Sequence, residues 1–96
     1  MTPEELEPVL ATARISGEVV LAFNYKNWRG QTGLRRAIPI HLWFGSNQWH
    51  PVQQWFLRAH DLSHAAKRDF ALSGIAGPIS CRSLSEAEQA RVLEVT

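Results

Sequence analysis

The sequence predicts a mainly β domain: a small barrel of four or five short strands, with a short helix before it and a closing helix after it. Three observations carry this expectation. Ninety-six residues with an apolar fraction of 45% suit a single domain, residues 1–96, built around one core. Apolar residues in the middle of the chain recur with a period of two, and helix-capping signals stand near its two ends. Closure into a barrel would remove the edges that a short open sheet leaves exposed.

The elements follow in order. Thr2, Pro3 and Glu5 make a helix-start signature: a hydroxyl that caps free amides, a proline that needs no donor, and a carboxylate at the third helical position. The ring and missing amide of Pro8 predict a break, so the helix proper is expected from about Pro8 to Ile15. Val9, Leu10 and Ala13 line one of its faces, and Ser16 and Gly17 end it. From Glu18 to Tyr25 the pattern is that of a strand, with Val19, Leu21, Phe23 and Tyr25 on one side. Lys26 to Gly33 mixes turn formers, cations and Trp28, which predicts an exposed loop. Leu34 to Phe44 is extended again, but Pro39 cannot donate to a ladder, so an edge, a bulge or a sharp bend between two shorter strands is expected there.

Gly45, Ser46 and Asn47 turn the chain into a third strand, about Gln54 to His60, where Trp55, Leu57 and Ala59 alternate with Phe56, Arg58 and His60. Asp61 to His64 is a connection, and Ala65 to Leu72 a fourth strand with Arg68, Phe70 and Leu72 on one side. A last short strand begins at Ile75, and Gly77, Pro78 and Ser80 break its pattern. Ser85 and Glu88 form a capping box for the closing helix, residues 85–94. The barrel is thus expected over residues 18–76 and the first helix over residues 8–15.

Charge is unevenly spread. Residues 24–70 hold seven lysines and arginines against two aspartates, a local charge of +5, although the whole chain carries only +1. An anionic partner responds to that local field. Cys81 is the lone cysteine, which removes an internal disulfide framework and suits a reducing compartment. Apolar runs are too short to span a bilayer, and Glu4, Glu5 and Glu7 contradict the positive start of a secretory signal, so a cytoplasmic domain with no membrane partner is expected.

Catalytic patterns are weak. His60 and His64 could share a metal only on a helix, in a stretch that reads as a turn, and no third ligand is evident. No serine, histidine and aspartate are spaced as a triad, and Gly30 and Gly33 match no phosphate-loop pattern. The expectation is a non-enzymatic protein with no cofactor and no metal. The strongest constellation is aromatic and basic together, because guanidinium forks suit phosphate or carboxylate and exposed rings stack on bases. Trp55, Leu57, Phe70 and Leu72 read as core, whereas Arg35 and Arg68 sit on strands that can present them at fixed positions.

At these residues the sequence resembles the WYL domain family, named after a Trp-Tyr-Leu tripeptide that stands here as Trp55-Phe56-Leu57. The resemblance takes in the strand ending at Tyr25 with its glycine-containing loop, then Arg35-Arg36-Ala37-Ile38-Pro39. It continues through Trp55 to Asp61 and ends with Arg68-Asp69-Phe70-Ala71-Leu72 and Ile75. It implies an Sm-like or SH3-like five-stranded barrel, of a kind usually attached to a winged helix in bacterial transcription regulators; this chain looks like a free-standing sensor. It also implies a ligand-facing role for Tyr25, Arg35, Phe56 and Arg68. Phe56 lacks the tyrosine hydroxyl, and Ala71 and Gly74 stand where many relatives are basic.

The function expected is regulatory ligand binding or sensing, of single-stranded nucleic acid or a nucleotide-like anion. Lys26, Trp28, Arg29, Arg36 and Arg58 would support it as secondary basic and aromatic groups. The alternative is a protein-interaction module anchored by Trp28, Trp43 and Trp49, with a partner protein or a homodimer as its complex.

Overall fold

The computed structural model describes residues 1–16 and 19–83; the helix expected over residues 85–94 lies outside them. The elements are α1 (Pro3–Ser16), β1 (Val19–Lys26), β2 (Thr32–Gly45), β3 (Gln54–Asp61), β4 (Ala66–Ala71), a 3-10 turn (Leu72–Gly74) and β5 (Ile75–Ser83).

The helix starts on its capping box. The Glu5 N–H donates to the Thr2 hydroxyl at 3.2 Å, and the Glu5 carboxylate accepts the Thr2 N–H at 3.3 Å. The break expected at Pro8 does not occur, and α1 runs through it for 14 residues. Leu6 and Leu10, four apart, form the buried stripe, while Pro8 and Glu4 face solvent, where water can take the carbonyl that the proline leaves without a donor.

All five strands join one antiparallel sheet in the order β4-β3-β2-β1-β5. This overturns the expected closed Sm-like or SH3-like barrel: among the described residues no ladder joins β4 to β5, and both remain edges. The sheet nevertheless curls. Strands β1 and β4 lie three places apart, roughly 14 Å in a flat sheet, yet the rings of Phe23 and Phe70 stand 5.3 Å apart. Across that fold a side chain does what a ladder would have done, because the Tyr25 hydroxyl accepts the Ala71 N–H at 3.0 Å. Gly74 permits the approach, since a Cβ there would run into the Lys26 carbonyl and come within 2.8 Å of the Tyr25 ring.

The two prolines inside strands show why a pattern break need not be a structural one. Pro39 does not divide β2, which is one strand of 14 residues with a bulge between Pro39 and His41. Pairing with β1 ends at Ala37, so Pro39 lies beyond the ladder its missing amide would have served. The short last strand expected at Ile75 instead runs nine residues. Gly77, at φ 73°, and Pro78 are absorbed by the register shift opposite Ala22 and Asn24, and on an edge strand the absent donor is tolerated.

Leu6 and Leu10 share one buried cluster with the inner-face residues Leu21, Phe23, Leu57 and Phe70. Val20, Ile38 and Leu62 form a smaller cluster. No helix among the described residues is long and apolar enough to cross a membrane.

Candidate ligand-binding cleft

Two turns, each folded around an asparagine, set the upper wall of a cleft. In the β1–β2 loop the Asn27 Oδ1 accepts the Arg29 N–H at 3.0 Å and the Gln31 N–H at 2.9 Å, and Gly30 takes a φ of 79°. In the β2–β3 loop the Asn47 Oδ1 accepts the Trp49 N–H at 3.0 Å and the His50 N–H at 2.8 Å. Each turn projects a tryptophan, and Trp28 and Trp49 stack with centroids 5.1 Å apart. The Arg29 guanidinium lies 4.8 Å from the centre of the Trp28 ring.

Below the tryptophans the cleft, about 570 Å³, reaches Tyr25, Arg35, Lys67, Arg68 and Phe70. The register explains the convergence: Phe23 pairs with Arg35, Ala59 with Arg68 and Leu57 with Phe70, so the two arginines project from the face that also carries the core. Burial holds the Tyr25 phenol above its ordinary pKa, against the opposing pulls of the Ala71 amide and of Arg35. The Arg68 Nε lies 3.5 Å from the buried Asp61 carboxylate, which also accepts the Ser63 N–H at 3.0 Å and meets His64 Nδ1 at 2.8 Å. Three partners satisfy a carboxylate that would otherwise be costly to bury. Arg68 is thus aimed by its inner nitrogen, and four of the five guanidinium donors remain for the cleft.

Of the residues expected to face ligand, Tyr25, Arg35 and Arg68 line one cleft, together with Trp28 and Arg29. Phe56 does not: it is fully buried on the other face of β3, stacked on Trp43 at 4.6 Å with the His50 ring edge-on at 5.7 Å. Arg58 is on that face too, paired with Asp69 at 3.1 Å, and Trp43 donates its indole N–H to the same carboxylate at 2.9 Å. Trp43 is therefore a half-buried strut between strands and not an exposed anchor. Lys26 and Arg36 are exposed outside the cleft. Asn27, Gln31, Asn47, His50 and Lys67 line it although the sequence pattern does not single them out as ligand-facing. A signal for the two turns is present, an asparagine one or two positions before a tryptophan in each, which is where an Asx turn forms.

His60 and His64 share no helix face, since the first lies near the end of β3 and the second follows it in a turn, and no group of three potential metal ligands occurs among the described residues. No family model, no curated protein and no solved structure matches the chain. With the open sheet, this overturns the WYL resemblance, and the Sm-like, SH3-like, transcription-regulation and nucleic-acid-binding associations it brought lose their support.

Proposed function

We propose that this chain is a non-catalytic binding domain for a small anionic ligand that carries a flat ring, of about nucleotide size. The observation that supports this reading is the convergence of a stacked, solvent-facing tryptophan pair with Arg29, Arg35, Lys67 and Arg68 on one cleft. Asp69 is the only carboxylate among the lining residues, and it is already held by Arg58 and Trp43. Four cations, one of them Arg68 with the buried Asp61 behind it, against one neutralised acid in the lining favour a phosphate or carboxylate, and a volume of about 570 Å³ lies within the range of small-molecule sites. Trp28 and Trp49 supply the faces for the ring. The exposed lone thiol of Cys81 suits a reducing setting, and we place the domain in the cytoplasm on that ground.

Quenching of tryptophan fluorescence by uridine monophosphate, at low and at high salt, tests the reading. Binding should weaken as salt rises, because the attraction is between exposed charges. Replacing both Arg35 and Arg68 with alanine should weaken it by about 1.5–3 kcal/mol for each charge-assisted hydrogen bond removed. Affinity unchanged in that double variant would remove the arginines from the site, and no binding at either salt would end the proposal.

A further inference from the structure

Most side-chain acceptors at the ring end of the cleft are already engaged. The backbone amides of Arg29 and Gln31 can only donate, so Asn27 must turn its oxygen to them. The Asn27 Nδ2 then faces Gln31, which must present Oε1 to it, at 3.2 Å. Gln31 is left with its amide NH2 and with a single lone pair on the Oε1 that Asn27 already engages. The same logic holds in the second turn: Asn47 gives its oxygen to the Trp49 and His50 amides and keeps an NH2. Asp69 accepts from Trp43 and twice from Arg58. The Tyr25 oxygen accepts from Ala71 and retains its proton as a donor. Arg29, Arg35, Lys67 and Arg68 are donors by nature. His50, packed edge-on to Phe56, can present either kind of nitrogen.

Resting on the function proposed above, we infer that the cleft selects ligands whose ring edge carries oxygen acceptors, with Gln31 as the residue that reads that edge. A ring bearing an amine at the same place would set donor against donor, so the NH2 groups of the exposed Gln31 and half-buried Asn47 would turn to water and the hydrogen bonds that a carbonyl accepts would be lost. The backbone of edge strand β4 does not alter the balance, since each outward residue of an antiparallel strand offers one donor and one acceptor together.

Two aryl phosphates of equal charge and similar size test this by calorimetry: 4-acetylphenyl phosphate, which ends in a carbonyl, and 4-aminophenyl phosphate, which ends in an amine. The carbonyl compound should bind about tenfold more tightly. Gln31→Met, which at similar volume removes the donor together with the exposed acceptor of Asn27 Nδ2, should bring the ratio towards one by weakening the acetyl compound more than the amine. Equal or reversed affinities, or a ratio untouched by Gln31→Met, would overturn the inference. Uridine monophosphate measured in parallel separates the two failures. If it binds while the aryl phosphates fail or do not differ, only the selectivity falls; if it does not bind, the proposed function falls and the inference with it.

Discussion

Phe23, Tyr25 and Phe70 meet edge to face at the bottom of the cleft, each no more than 5% exposed, whereas Trp28 and Trp49 stack flat at its rim, each about half exposed. The lower rings come from three strand positions that the curled sheet forces together, and they hold the sheet in that curl. The upper rings come from two separate turns that need only their asparagines to fold. Removing a lower ring therefore opens a void in the core, and removing an upper one exposes nothing that was hidden. The contrast separates what the molecule needs in order to fold from what it displays.

The largest effect should come from Phe70→Ala, which deletes a ring touching both Phe23 and Tyr25 and should cost about 3–5 kcal/mol in urea or thermal unfolding. Trp28→Ala should stay within about 0.5 kcal/mol of the parent and yet abolish most quenching by uridine monophosphate. A Trp28→Ala loss as large as that of Phe70→Ala would mean the rim belongs to the core, and the contrast would collapse.

Next in size is Tyr25→Phe, which keeps the ring and deletes the acceptor of the Ala71 N–H, at a cost of about 1–3 kcal/mol. It also carries a pH signature. In the unfolded chain tyrosine ionises near pH 10, whereas burial holds the folded phenol protonated to higher pH. Across that window the unfolded state has lost a proton that the folded state keeps, so stability falls as pH rises from about 10 towards the folded value. Unfolding curves at rising alkaline pH should show this decline in the parent and a weaker one in Tyr25→Phe. Identical slopes would mean that burial of this phenol has no energetic consequence.

Strand β1 and its inner face are legible from a period of two, and the capping box from three residues, because both depend on near neighbours in sequence. Pro8, Pro39 and Pro78 look like breaks because the sequence does not say which side of a helix or strand a missing amide will face. Each lies where water, a sheet edge or the end of a ladder makes the missing amide tolerable. Closure is illegible for a related reason: alternation reports two faces of a sheet and says nothing about whether its last edge finds its first. At the cleft, cations and tryptophans stand out by type. Gln31 and Asn47 do not, since their part depends on which of their atoms the backbone has already claimed. Phe56 is assigned to the site by the family resemblance alone, and strand alternation turns it to the opposite face.

The smallest stability effects should distinguish the two arginines that share the inner face. Arg68→Ala takes one of three partners from the buried Asp61 carboxylate, but the arginine side chain is 49% exposed and its approach at 3.5 Å is long. Solvent screening holds the expected loss to under about 1 kcal/mol. Beyond its place in the β1–β2 ladder, the Arg35 side chain makes no hydrogen bond or ion pair among the described residues, and it acts on the fold through its field at Tyr25. Arg35→Ala should therefore leave unfolding unchanged within about 0.5 kcal/mol and should move the Tyr25 phenol further up, because the one nearby cation favouring phenolate is gone. Ultraviolet absorbance of phenolate in an alkaline titration reads that shift directly, since Tyr25 is the sole tyrosine of the chain. A phenol that titrates alike with and without Arg35 would mean the guanidinium points away from the ring, and with it away from the floor on which the ligand is proposed to lie.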